Sequence, residues 1–527
     1  MVATSNMTGS AMLALAERRL SEGAARDAQL LAEAVLAAAP ASIPARLIAN
    51  QAAFIAGDLV AAMAHAEAGL ELDPGSPDFH LRRARCLLIR NDPTAARRAL
   101  SAASHCAGAR ATAAPWGMIG DAWTLLGDFM QAIAAYDEAI AQEPANPRHL
   151  FNRGVVRRYV GQSERAEQDY AQTVALAPEH GEAWLNRVQL GRQTPQSHHL
   201  AALEQVLHRL PDRPEVVPAR IHVHYALAKT HEDLGDGDRC FHHLGEGARL
   251  LRQTFRYDVR SDLAVLAAAQ AAAPPPPPVP PVSGAVPIFV LGLPRSGSTL
   301  VERILTAHDR VGTIGESPAF GRALADAAHA DGLDPADAAA LMARAPALDL
   351  AAIGRRYLDL TAPWRGSEPF FVDKLPNNHV HAALIAAALP QARIIHIHRD
   401  PVANLFGMYK TLFNGAYPYS YDWDELIAYY RGYRQLMDTW RHSLGGRMIE
   451  LRYETLVEAP EATIRTLVAA CELDWQEQCL NFHANPLPCT TQSASQVRKQ
   501  LNRDGIDGLP RFARQLQPLR DRLAQVL

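Results

Sequence analysis

Two stretches of the chain echo one another at a distance of 34 residues. Trp116, Gly120, Gly127, Ala132, Tyr136 and Pro144 are followed by Leu150, Gly154, Gly161, Ala166, Tyr170 and Pro178. This period constrains the fold more than any composition value. A unit with small residues where helices cross, an aromatic in its second half and proline at the next turn is a helical pair too short to bury its own apolar face. Such pairs must stack on neighbours. Gly57, Ala62 and Pro74 continue the pattern upstream and Trp184 restarts it downstream, with less regular stretches around 77–110 and 195–250. The pattern ends at AAAPPPPPVPPVS, residues 271–283, in which seven of the eight positions from Pro274 to Pro281 are proline. That run favours polyproline II, a semi-rigid spacer of roughly 25 Å; docking of a proline-reading partner is the alternative use of the same residues. Beyond it, the apolar runs VPIFVLG, PFFVDK, ARIIHIHR and RMIELRYE are separated by helical stretches, the pattern of parallel strands with crossover helices.

The period and its residue types resemble the tetratricopeptide repeat. The expected architecture is therefore α + α/β: a helical tetratricopeptide-repeat solenoid over 10–270, a proline-rich linker over 271–284, and a P-loop-like α/β domain with a parallel sheet over 285–527. In open parallel sheets ligands bind beyond the carboxyl ends of the strands, so that edge is where chemistry is expected.

Net charge is −4 and argues against wholesale nucleic-acid binding, which needs clustered cations. Six scattered cysteines lack any C-x-x-C pair or metal-ligand spacing and read as reduced thiols. With neither a leader-like segment nor an apolar run of about 18 residues, the expectation is a cytoplasmic chain with no membrane partner. Lysine is scarce: of 52 basic residues only Lys229, Lys374, Lys410 and Lys499 are lysine. A compact ammonium and a planar guanidinium do different chemistry, so each surviving lysine is a candidate for a role that arginine cannot fill.

The stretch IFVLGLPRSGSTLV, residues 288–301, ends an apolar run at Gly292 and continues with the glycine spacing of a phosphate-cradling loop through Gly297 and Thr299. Strand, loop and a helix starting near Thr299 would aim backbone N–H groups at an anion, and Arg295 adds a fork suited to phosphate. Ser298 stands where the fingerprint has its lysine for the β and γ phosphates. A loop that keeps the cradle and loses that lysine suits a nucleotide with a single 5′ phosphate bearing another group.

The residues GLPRSGST resemble the 5′-phosphosulfate loop of sulfotransferases, and the spacing through FFVDKLP and RDP to SASQVRKQL resembles the tyrosylprotein sulfotransferase group, in particular bacterial proteins that fuse tetratricopeptide repeats to such a domain. The resemblance covers about 285–510. It implies a sulfuryl donor, 3′-phosphoadenylyl sulfate, an acceptor hydroxyl for which a protein tyrosine is the fold-level expectation, protein partners or substrates held by the repeats, and no metal. Pro294, Arg295, Ser296, Gly297, Ser298 and Thr299 would cradle the donor. Arg399 matches the arginine for its 3′ phosphate, Tyr453 a tyrosine near the adenosine phosphates, and Ser493 and Lys499 a late serine and lysine on the donor. Glu316 falls where the group has its catalytic glutamate, and Lys374 where a lysine steadies the transferred group. Gly407 departs from the pattern, standing where a serine usually meets the 3′ phosphate. Lys410, in MYKTLF eleven residues past Arg399, is assigned from lysine scarcity and is expected to line the donor pocket.

Elementary chemistry supports those roles. In-line sulfuryl transfer loads negative charge onto the bridging oxygen of the leaving phosphate, where cations such as Lys374 and Arg295 lower the barrier. A carboxylate within hydrogen-bond reach, Glu316, suffices to take the acceptor's proton. His396 and His398 are expected to face opposite sides of their strand and to be structural. Two other readings compete: a kinase-like P-loop enzyme, which would want the missing lysine and a Mg²⁺ carboxylate, and a repeat scaffold with an inactive transferase domain, favoured by Gly407.

Overall fold

The computed structural model describes residues 7–109, 115–272, 279–280, 284–413 and 415–525. Most of the proline run, and with it the expected polyproline spacer, lies outside the described residues. The chain divides into two compact units, Met1–Arg157 and Arg158–Leu527.

The first unit is helical. Helices Ile43–Ile55 and Leu59–Leu72, Pro77–Ile89 and Pro93–Gly108, and Trp116–Leu126 and Phe129–Gln142 form successive antiparallel pairs. Within each pair the turn is made the same way: Gly57 and Gly127 adopt φ of 82°, and Asn91 takes the same slot at 61°. Asn91 lies 34 residues after Gly57, so the irregular stretch 77–110 is a true repeat in which asparagine, tolerant of left-handed backbone, replaces glycine. The aspartates that follow, Asp58 and Asp92, cap the next helix through Ala61 and Ala95 N–H. Small residues sit where helices cross: a Cβ on Gly120 would stand 2.7 Å from the Tyr136 ring.

The second unit holds further helical pairs, among them Val217–Leu234 and Gly237–Arg252, and a five-stranded all-parallel sheet. The strands are β1 (Val286–Leu291), β2 (Val311–Thr313), β3 (Phe370–Asp373), β4 (Arg393–His398) and β5 (Met448–Arg452), in the order β2-β3-β1-β4-β5. The four apolar runs are strands. β2 was not marked by any run, since three residues carry no periodicity.

Both faces of the sheet are covered, as continuous apolar strands require. Ile288 and Val290 of β1, with Ile395 and Ile397 of β4, pack on Val301, Ile304 and Leu305 and on Ile464, Leu467 and Val468. On the other face Phe289 meets Tyr357 and Phe320 at ring separations of 5.3 and 6.2 Å. Within this unit the late helical pair is fused to the sheet domain. Phe241 stacks on Phe406 at 5.2 Å and meets Phe512 at 6.0 Å, while Arg252 donates to both oxygens of Glu425 at 3.1 and 2.6 Å.

Candidate active site

Each strand hands one sequence-predicted residue to the carboxyl edge of the sheet. β1 runs into the 292–299 loop, β2 leads to Glu316, β3 to Lys374, β4 to Arg399 and β5 to Tyr453. β1 is central, with β3 and β4, successive in the chain, on its two opposite sides, so the loop sits at the topological switch point, where a parallel sheet leaves a crevice.

The loop's backbone explains its sequence. Gly292 has φ of 146° and its missing Cβ would collide with the Ile397 carbonyl of the adjacent strand, so no other residue fits. Arg295 is held at φ 65°, a left-handed conformation that costs a non-glycine residue on the order of 1 kcal/mol or more. Helix Ser298–Leu305 starts at Gly297 with no side chain capping it. Its first N–H groups therefore face the loop's interior. Ser296 Oγ is fully buried there and has no hydrogen-bond partner. Unmade hydrogen bonds inside a protein are costly, and a cradle of donors around a buried hydroxyl is the arrangement an anion would complete. Pro294 is also buried, and its carbonyl accepts from Asn404 Nδ2 at 2.7 Å, a supporting residue that sequence reasoning missed.

Arg295, Gly297, Ser298, Thr299, Arg399 and Gly407 line one cavity of about 620 Å³, and Lys410, Tyr453, Ser493 and Lys499 line it too. Arg295 donates to Ser493 Oγ at 2.7 Å and to Gln496 Oε1 at 3.4 Å, drawing the 493–499 segment over the loop. Burial and the neighbouring Arg399 charge draw the Arg295 guanidinium down to about 10. Two guanidinium groups forced together in this way favour an anion between them. Arg399 lies over the Tyr453 ring at 4.4 Å, donates to the carbonyls of Arg295 and Gly505, and keeps its buried Nε unpartnered. Asp400 is engaged in capping Pro401–Tyr409 through the Ala403 N–H.

Gly407 has a steric reason. A Cβ there would lie 3.3 Å from Arg295 Cβ, tight enough to press on the arginine's stem. Lys410 lines the same cavity, and its ammonium donates to Glu232 Oε1 at 2.6 Å, from the Val217–Leu234 helix. Burial raises the Glu232 carboxyl, but Lys410, close by and hydrogen-bonded, overrides it and leaves the group below the ordinary carboxylate range.

Glu316 and Lys374 stand apart from the cavity lining and ion-pair with each other. Lys374 is 1% exposed and Glu316 47%, so the lysine is fixed and the carboxylate reaches solvent. The turn between them is clamped: Lys374 N–H donates to the Gly315 carbonyl at 2.9 Å, and Gly315 N–H to Thr313 Oγ1 at 2.9 Å. Behind Lys374, burial pushes the Asp373 carboxyl up to about 8, with Tyr357 and Asn378 donating to it.

The histidine expectation needs correction in one respect. His396 and His398, two residues apart in β4, share a face, as the period of two in a strand dictates, and both approach Glu450. His396 Nδ1 lies 3.0 Å from Glu450 and Nε2 2.6 Å from the Tyr433 hydroxyl. Among the described residues no group of three or more histidine, cysteine or acidic side chains could hold a metal ion.

Residues 287–477 match the sulfotransferase family and residues 53–114 the tetratricopeptide repeat, so the chain carries a sulfotransferase family domain together with tetratricopeptide repeats. An uncharacterized protein of Aquifex aeolicus (strain VF5) is 28% identical over 401 residues, 74% of this chain and 52% of its own. The chain thus spans about half the length of that curated relative. Among solved structures, the sulfotransferase domain of the Synechococcus PCC 7002 olefin synthase is 21% identical, covering 44% of this chain and 97% of that one with a TM-score of 0.27. A thermophilic tetratricopeptide-repeat protein of Thermus thermophilus is 17% identical, covering 34% and 97%, with a TM-score of 0.30.

Proposed function

We propose that this sulfotransferase domain takes a sulfuryl group from 3′-phosphoadenylyl sulfate and passes it to the hydroxyl of a protein tyrosine, the repeats holding the protein that carries it. The observation that carries the donor reading is the buried, unpartnered Ser296 hydroxyl inside an uncapped helix terminus, flanked by Arg295 and Arg399. Loop N–H groups and Ser296 bind the 5′ phosphate, and Arg399 binds the 3′ phosphate. The donor supplies an activated sulfur–oxygen bond. Lys374 neutralises the charge that collects on the bridging oxygen as that bond breaks, while Glu316 accepts the acceptor's proton as the new oxygen–sulfur bond forms. Gly407, the one feature favouring an inactive scaffold, leaves little room for a side chain, since a Cβ there would lie 3.3 Å from Arg295 Cβ.

Incubating the full chain with isotope-labelled donor and a tryptic proteome in EDTA tests this. Label on tyrosine hydroxyls, undiminished by EDTA, is expected. Transfer that requires Mg²⁺, or label confined to carbohydrate or small molecules, would overturn the donor chemistry or the acceptor class respectively.

A further inference from the structure

Three of the chain's four lysines, Lys229, Lys410 and Lys499, line this same cavity, although they come from separate parts of the sequence. Lys229 lies on Val217–Leu234, well outside the residues that match the sulfotransferase family. It forms an ion pair with Asp233, whose Oδ2 also accepts the Gln193 N–H at 2.8 Å. One residue away Glu232 is met by Lys410 at 2.6 Å and by Arg511 at 3.8 Å. In both pairs the acid is the buried member. The Asp233 and Glu232 side chains are 10% and 11% exposed, whereas Lys229 and Lys410 are 29% and 31% exposed.

An ammonium has three N–H donors, so a single carboxylate behind it leaves donors to present forward. Around the whole cavity seven arginines and lysines face three carboxylates among the described residues, in a chain whose net charge is −4. The cavity lining carries a net positive charge in an acidic protein, and its cations exceed what one 5′ phosphate group would need. Lys410 lies one turn beyond Gly407, as the C-cap of the helix Pro401–Tyr409 that Asp400 caps at its start. Arg399 and the lysine pair therefore open onto the same cavity.

We propose that Lys229, together with Lys410, binds the 3′ phosphate of the nucleotide, so that a helix of the repeat region supplies a wall of the donor pocket. This rests on the donor reading above. Asp233 and Glu232 hold the two ammonium groups in position when no ligand is bound. They are positioning residues, and the lysines are the ligand contacts. The two ammonium groups then supply charge to the 3′ phosphate in a chain whose Gly407 has no hydroxyl to offer it.

Calorimetric titration of the full chain with adenosine 3′,5′-bisphosphate and with adenosine 5′-phosphosulfate, which lacks the 3′ phosphate, tests it at low ionic strength. Lys229→Gln, which still donates to Asp233, should weaken the bisphosphate about tenfold, the effect of one unit charge a few ångströms away across a partly solvated cavity, and leave the phosphosulfate within about twofold. Lys229→Arg should retain most of the affinity, since charge rather than shape is asked of this position. Unchanged bisphosphate binding in Lys229→Gln, with wild type preferring the bisphosphate, would overturn the inference and leave the donor reading standing. Equal losses in Lys229→Gln and Lys229→Arg, or equal losses for both ligands, would show a structural pair and also overturn it. A wild-type chain with no preference for the bisphosphate would sink the donor reading and this inference with it.

Discussion

The cavity has two unlike walls. The sheet edge presents Arg295, Arg399 and an uncapped helix terminus, and the buried Ser296 hydroxyl and Arg399 Nε behind that surface have no partner. The opposite wall, from Val217–Leu234, presents charges already paired, Lys229 with Asp233 and Glu232 with Lys410. Open donors gain the full value of a ligand's hydrogen bonds, whereas paired cations gain only the difference between a carboxylate and a phosphate. On the proposed donor reading, ligand anchoring and chemistry belong to the sheet edge, and the helical wall adjusts affinity.

That contrast predicts a descending series of effects. Glu316→Gln keeps shape and removes the base, so turnover should fall by about 10²–10⁴ with donor affinity intact, and the loss should shrink for acceptors with acidic phenols. Lys374→Ala should lower turnover by about 10²–10³. Lys374→Arg should not restore it, because Lys374 is 1% exposed and a wider fork does not fit a buried point-charge site. Steady-state kinetics on both positions, paired with donor titrations, separate turnover from binding; a fully active Glu316→Gln on an unactivated acceptor would remove the base from the mechanism.

Arg399→Ala comes next, with a loss of about 2–4 kcal/mol in donor binding, the scale for removing one partner of a buried charge pair. Selectivity for the 3′-phosphorylated nucleotide should fall with it. Equal losses with and without the 3′ phosphate would reassign the arginine to the 5′ end.

The two walls should also differ in the sign of their pH response. Asp373, at the sheet edge, is raised by burial to about 8, so above the ordinary carboxylate range near 4 the folded chain keeps a proton that the unfolded chain has lost. Its contribution to stability is present at low pH and is lost as pH rises toward about 8. Asp373→Asn removes this titration, and its melting temperature should gain on wild type between about pH 5 and pH 8; a constant offset would mean that Asp373 is ionised throughout.

Behind the helical wall, His224 and His243 lie 3.1 Å apart through their Nδ1 atoms and are lowered by burial to about 4 and about 3, against a partial opposing pull on His224 from Glu246. Their folded values lie below the ordinary one, so stability is present above about 6.5 and is lost as pH falls toward 4. Hydrogen exchange in Val217–Leu234 should accelerate on acidification over that window. Exchange insensitive to pH, after correction for its intrinsic rate, would show the pair does not couple to the helix.

The same contrast marks what could be read from the sequence. The sheet edge was legible because four of the five strands are marked by apolar runs, and the loop, Lys374, Arg399 and Tyr453 follow where those runs stop. β2 was not, being three residues long. The irregular repeat at 77–110 hid behind a single exchange, Asn91 in a glycine slot. The helical wall was invisible to spacing, because Lys229 and Lys410 are 181 residues apart and meet the same cavity only through tertiary packing. Lysine scarcity pointed to both, but only Lys410 had an informative neighbourhood. The proposed boundary at 271–284 reflects composition. Packing across it within the second unit, Phe241 on Phe406 and Arg252 on Glu425, means a fragment beginning at 285 would uncover these surfaces.

The central claim is that the sheet edge is built for a nucleotide with separate 5′ and 3′ phosphates rather than a triphosphate chain. Titrating the full chain with adenosine 3′,5′-bisphosphate in EDTA, and with ATP in Mg²⁺, tests it most directly. The bisphosphate should bind at least about a hundredfold more tightly, the value of one buried charge-assisted phosphate contact, and a chain that prefers ATP with Mg²⁺, or binds neither, would contradict it.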